Sequence, residues 1–78
     1  MIGMIFRNMR LTAKLSQSEL GKKLNMADTT ISSYERENSH PSFETIHKAA
    51  KICGYQILFK DKKGNIITAE EMAKEKDF

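Results

Sequence analysis

Gln17, Ser18 and Lys22, followed after a short gap by Asp28, Thr29, Thr30, Ser32, Ser33, Arg36, Asn38 and His40, gather hydrogen-bonding side chains into one stretch. A glutamine amide donates and accepts at once, a hydroxyl does either, and Arg, Lys or Asn donates to phosphate oxygens. The set therefore suits contact with a polar, negatively charged surface. No other chemistry is assembled. His40 and His47 lack a thiol or carboxylate set at metal spacing, and the lone cysteine, Cys53, has no base beside it. No Ser/His/Asp or paired-carboxylate arrangement is present, so neither a metal, a cofactor nor an enzymatic activity is expected.

Short helices are needed to aim these residues. Ile2, Ile5, Phe6, Met9 and Ala13 recur at three- and four-residue steps, predicting one buried face on a first helix that ends near Lys14, with Arg7, Asn8 and Lys14 outside it. Ser16 and Glu19 have the spacing of a capping box, and Leu15 and Leu20 that of a hydrophobic staple, so a second helix starts there. Asn25, which tolerates the left-handed conformation, closes it after Leu24. Met26 and Ile31 repeat the staple spacing, which places the next cap at Ala27 and the first helical residues at Asp28 and Thr29. Alanine cannot cap, so Asp28 is either a replacement cap or a contact residue. Ile31 and Tyr34 turn inward from this third helix, leaving Asp28, Thr29, Ser32, Ser33 and Arg36 on its outer side.

A polar loop from Glu37 to His40 leads to Pro41 and a fourth start at Ser42. Phe43, Ile46, Ala49, Ala50 and Cys53 then line a helix stopped by Gly54. Beyond it the period changes to two: Tyr55, Ile57 and Phe59 alternate with Gln56, Leu58 and Lys60. Asp61-Lys62-Lys63-Gly64 carries type I turn chemistry, and Asn65 to Thr68 can return as a second strand. Such a hairpin is marginal alone, so Tyr55, Ile57 and Phe59 need cover from the helices or from a second chain. Lys60, Lys62 and Lys63 serve either as a basic contact or as protection of a strand edge. Thr68 and Glu71 repeat the capping-box spacing, but Glu70 to Phe78 is so charged that a frayed tail is expected. The organisation is thus residues 1–54 as a helical unit, 55–68 as its hairpin extension and 69–78 as a tail.

Seventy-eight residues, 40% of them hydrophobic, suffice for one small core. Thirteen Lys and Arg against ten Asp and Glu give a net charge of +3, which fits an anionic partner without dictating one. Met1 to Phe6 is too short an apolar run for a membrane span, and no signal peptide is discernible. A single cysteine, best read as a packed core thiol, suits a reducing compartment, and a cytoplasmic location is expected.

The run Leu15-Ser16-Gln17-Ser18-Glu19-Leu20, then Leu24, Ile31-Ser32-Ser33-Tyr34-Glu35 and Pro41, resembles the Xre/Cro-type helix-turn-helix family of phage and bacterial repressors over roughly residues 2–54. The resemblance implies a mainly α fold: a four-helix lambda-repressor-like domain, here with a C-terminal β-hairpin or dimerisation strand. It implies that Arg10 pairs with Glu35, tying the first helix to the third. It also implies that the third helix enters the major groove, with Gln17, Asp28, Thr29, Ser32 and Ser33 contacting bases. Ser18, Lys22, Thr30, Arg36, Asn38 and His40 would follow the phosphates. An acidic Asp28 fits such a surface only by accepting from cytosine N4 or adenine N6. Departures from the family pattern are Gly21 in place of alanine, and Asn25 and Glu37 in place of glycine. Glu37 resists the left-handed conformation, and Asn38 is expected to take that turn instead. Partners implied are a palindromic double-stranded DNA operator and a second copy of the chain, with Tyr55, Ile57 and Phe59 at the dimer contact. The helices followed by Gly-Tyr-Gln-Ile-Leu-Phe also look like antitoxin regulators of the HipB and HigA kinds, which would add a toxin protein as partner.

Overall fold

Phe6, Leu20 and Ile31 have no exposed surface. They are carried by three helices that close around them: α1 (Ile2–Thr12), α2 (Gln17–Leu24) and α3 (Asp28–Glu35). A fourth, α4 (Phe43–Ile52), lies against the same core through the small side chains of Ala49 and Ala50, with Cys53 just beyond it. Leu15, Leu24, Met26, Tyr34 and Ile52 pack around this centre, and the Tyr34 ring meets Phe6 edge-on at 5.6 Å. Burying each large side chain contributes about 1.5–3 kcal/mol. The computed structural model describes residues 1–74.

The buried side of α1 differs from the expected one. Gly3, Phe6, Met9 and Arg10 face the interior, whereas Ile5 is 42% exposed. Gly3 explains the rotation: a Cβ there would stand 2.8 Å from the carbonyl oxygens of both Tyr34 and Glu35. The bare glycine lets α1 approach the end of α3, and Arg10 follows it inward because Glu35 neutralises it.

All four helices leave by the same left-handed step. Lys14 (φ 59°), Asn25 (φ 58°), Glu37 (φ 61°) and Gly54 (φ 86°) each occupy it. The next residue then donates its N–H back across the last turn: Leu15 to Arg10, Met26 to Gly21, Asn38 to Ser33 and Tyr55 to Ala50. These bonds satisfy carbonyls that a helix end leaves orphaned. The expectation that Asn38 would absorb the turn after α3 is therefore corrected. Glu37 takes it, because the Asn38 N–H is committed to Ser33 at 3.0 Å, which fixes Glu37 in the left-handed place.

β1 (Leu58–Lys60) and β2 (Ile66–Thr68) form one antiparallel hairpin in which Leu58 faces Thr68, Phe59 faces Ile67 and Lys60 faces Ile66. The Asp61 carboxylate accepts from the Lys63 and Asn65 N–H groups, both at 2.9 Å, and Gly64 closes the turn at φ 91°. Pairing starts at Leu58 rather than Tyr55, since the preceding residues are held against the helices. The Tyr55 hydroxyl bonds Thr12 Oγ1 at 2.9 Å and Ile57 packs on the core. Phe43, expected inside, is 52% exposed and stacks on Phe59 with ring centres 6.3 Å apart, bracing the hairpin against α4.

The start of the expected frayed tail is ordered. α5 (Ala69–Met72) is capped by the Thr68 hydroxyl, which accepts from the Glu71 N–H. It is docked by a buried Ala69 and by Glu70, whose carboxylate meets His47 at 3.3 Å and Lys51 at 3.1 Å. Its own backbone N–H, then Lys51 and His47, hold the Glu70 carboxyl at a pKa of about 2. The remainder of that expectation, residues 75–78, lies outside the described residues.

Candidate nucleic-acid interface

The interface is built from α2, the turn at Asn25 and α3. Ser16 and Glu19 cap α2 reciprocally: the Ser16 hydroxyl accepts from the Glu19 N–H at 3.0 Å, and the Glu19 carboxylate accepts from the Ser16 N–H at 2.8 Å. Those bonds, the backbone one first, lower the Glu19 pKa. The turn is tight enough that a Cβ at Gly21 would lie 2.6 Å from the Met26 carbonyl oxygen.

α3 starts without a side-chain cap. Ala27 occupies the cap position and Asp28 is the first helical residue, so Asp28 is not a replacement cap. Its charge lies in the first turn, where the helix dipole favours an anion. Among the described residues, the backbone N–H groups of Asp28 and Thr29 have no acceptor.

Outward from this frame, Asp28 and Thr29 are exposed and Thr30 and Ser32 half-exposed on α3. Arg36, Asn38 and His40 follow on the exposed loop, with Ser18 and Lys22 exposed on α2. None of these side chains has a hydrogen-bond or ion-pair partner among the described residues. Two expected contact residues do have partners. Gln17 Nε2 donates to Glu35 Oε1 at 3.2 Å, and the Ser33 hydroxyl pairs with that of Ser39 at 2.8 Å. Ser39 was not singled out by sequence reasoning, and only its place six residues after Ser33 across a helix end could have drawn attention to it.

Beneath the surface lies the expected pair. Arg10 Nε and Nη2 donate to Glu35 at 2.6 and 2.9 Å, and Nη1 donates to the Leu15 carbonyl at 3.0 Å. The two side chains are 9% and 4% exposed. The Glu35 hydrogen bond, against the opposing effect of burial, raises the Arg10 pKa. Burial opposes the Glu35 charge most strongly, yet hydrogen bonds from Arg10 and Gln17 and the Arg10 and Arg7 charges outweigh it and leave the pKa lowered. Glu37, the anion expected to trouble a phosphate track, turns back to the Met1 amino group at 3.0 Å.

No helix of the described residues is long and apolar enough to cross a membrane. Neither the curated proteins nor the solved structures contain a match to the chain. A family model described as helix-turn-helix matches residues 6–59, from the first core aromatic of α1 to the middle of β1. With its short α2, its left-handed turn and its outward polar α3, the chain belongs to the Xre/Cro-type helix-turn-helix family of DNA-binding regulators.

Proposed function

We propose that the protein is a dimeric transcriptional repressor that lays α3 in the major groove of a palindromic operator. The observation that carries this reading is the outer side of α3. Apart from Ser33, its small polar side chains are spent on no partner among the described residues, while the Arg10–Glu35 pair holds the helix from beneath. In this reading Asp28, Thr29 and Ser32 read base edges, and Ser18, Lys22, Thr30, Arg36, Asn38 and His40 position the domain on the phosphates. Ser33 acts by ordering the loop through Ser39.

Dimerisation is assigned to the hairpin. Ile57 is covered by the chain's own helices, but Tyr55 and Phe59 remain partly open, and Leu58 and Ile66 are 49% and 62% exposed. Met72 extends this apolar surface onto α5, which favours a second reading in which an antitoxin regulator covers the patch with a toxin.

Selection of bound sequences from random duplex DNA, combined with the mass of the complex, tests the proposal. Two inverted half-sites separated by one or more helical turns, bound by two chains with affinity falling steeply in salt, are expected. Salt-independent binding or an unstructured consensus refutes it. Leu58→Lys with Ile66→Lys should give monomers. Retention of a neighbouring gene's product in a two-protein complex would favour the antitoxin reading.

A further inference from the structure

The carboxylate of Glu35 is an acceptor on both oxygens, one taken by Arg10 Nε and the other shared by Arg10 Nη2 and Gln17 Nε2. An amide placed against such a group has one workable orientation. Its nitrogen must face the carboxylate, because the reverse sets a carbonyl oxygen against a negatively charged one. Gln17 Oε1 is therefore turned away from Glu35. Among the described residues it accepts no hydrogen bond, yet it is not a buried unsatisfied atom, so it opens to solvent. Gln17 is the first residue of α2, and Glu35 lies one helical turn from Ser32 on the outer side of α3, so that oxygen borders the reading surface.

An outward acceptor with one free Nε2 proton beside it is matched most fully by a base edge that carries both an amine and an acceptor, whereas phosphate oxygens only accept. Resting on the reading of α3 as the groove helix, we infer that Gln17 is a specificity residue accepting from adenine N6 or cytosine N4, with Glu35 as the positioning residue that sets its polarity. Adenine is the fuller match. The second Nε2 proton can reach its N7, whereas cytosine has no acceptor beside its amine in the major groove.

The test is selection from random duplexes with the full chain and with Gln17→Met, followed by affinity measurements at several salt concentrations. The wild type should enrich adenine, or failing that cytosine, at one position of each half-site. At that position Gln17→Met should lose a preference of roughly fivefold or more, with an unchanged salt slope. Replacing the enriched adenine by purine, which lacks N6, should weaken the wild type and leave Gln17→Met unaffected. A uniform loss across all sequences would make Gln17 a phosphate contact and overturn the inference. Unchanged selectivity in Gln17→Met overturns it as well. Failure of the wild type to enrich any duplex sequence would instead bring down the repressor reading itself, and this inference with it.

Discussion

Replacing Arg10 with methionine should invert the pH dependence of the domain's stability. In the wild type the folded pKa of Glu35 lies below its ordinary value. A carboxylate so depressed contributes stability that is present above its unfolded pKa, about 4.3, and is lost as pH falls through the folded pKa. Methionine keeps most of the apolar stem of Arg10 but removes its two hydrogen bonds to Glu35 and its charge, leaving only the Gln17 hydrogen bond and the more distant Arg7 charge to oppose burial. Burial, the largest single influence on that carboxyl, then dominates and its folded pKa rises above the unfolded one. The ionised group now destabilises the fold at neutral pH, and stability grows as pH falls through the raised value.

Breaking a buried pair by removing one partner costs about 3–5 kcal/mol. A chain of this length has roughly 4–12 kcal/mol in total, so the variant should be close to unfolding at neutral pH and regain structure in mild acid. Urea unfolding followed by far-ultraviolet circular dichroism measures this, since the chain has no tryptophan to report by fluorescence. Arg10→Met with Glu35→Leu should restore stability to within about 1–2 kcal/mol of the wild type and abolish the pH effect. The reasoning fails if the single variant follows the wild type in parallel across pH, or if the double variant is no better than the single one.

Lys14→Gly should stabilise by about 0.5–1 kcal/mol, because the left-handed step at φ 59° strains any side chain with a Cβ, and thermal unfolding would show it. Gly21→Ala should lower stability by about 1–2 kcal/mol, since the added carbon meets the Met26 carbonyl at 2.6 Å and gained helix propensity offsets only part of that clash; an unchanged Tm would refute it. Ser33→Ala and Ser39→Ala should weaken operator binding alike and the double variant no further, as expected of two hydroxyls acting through one bond; additive losses would assign Ser33 its own base contact.

What could be read directly from the sequence was local. The capping box at Ser16 and Glu19, the stop at Asn25 and the turn at Asp61 are each encoded within about five residues, and each formed as their side-chain chemistry dictates. The Arg10–Glu35 pair, 25 residues apart, was visible only through family resemblance. Features that depend on helix-to-helix approach were not visible. Hydrophobic spacing assigned Ile5 to the core because it cannot register that Gly3 fits against two carbonyls of α3 and turns the helix. Phe43 was misplaced for the same kind of reason: its partner, Phe59, comes from a hairpin whose docking no local pattern specifies. Lys14 and Glu37 carry no turn signal of their own. The helix ends impose the left-handed conformation on them through backbone bonds, so residue preference loses to hydrogen-bond satisfaction there.

Ala27 shows the opposite balance, a favourable local choice left unused. Serine at this cap position would accept from a first-turn N–H of α3 and stabilise the helix by about 1 kcal/mol. Two N–H groups, at Asp28 and Thr29, have no acceptor among the described residues, and a helix start of this kind attracts phosphate. If α3 approaches DNA by its N-terminal end, a capping side chain competes for those donors and adds bulk where the helix meets the backbone. Ala27→Ser should therefore raise Tm by about 4–8 °C while weakening operator binding without altering sequence preference. A variant that is both more stable and equally tight would mean that the α3 start stays clear of the phosphates and that the missing cap has no role in binding.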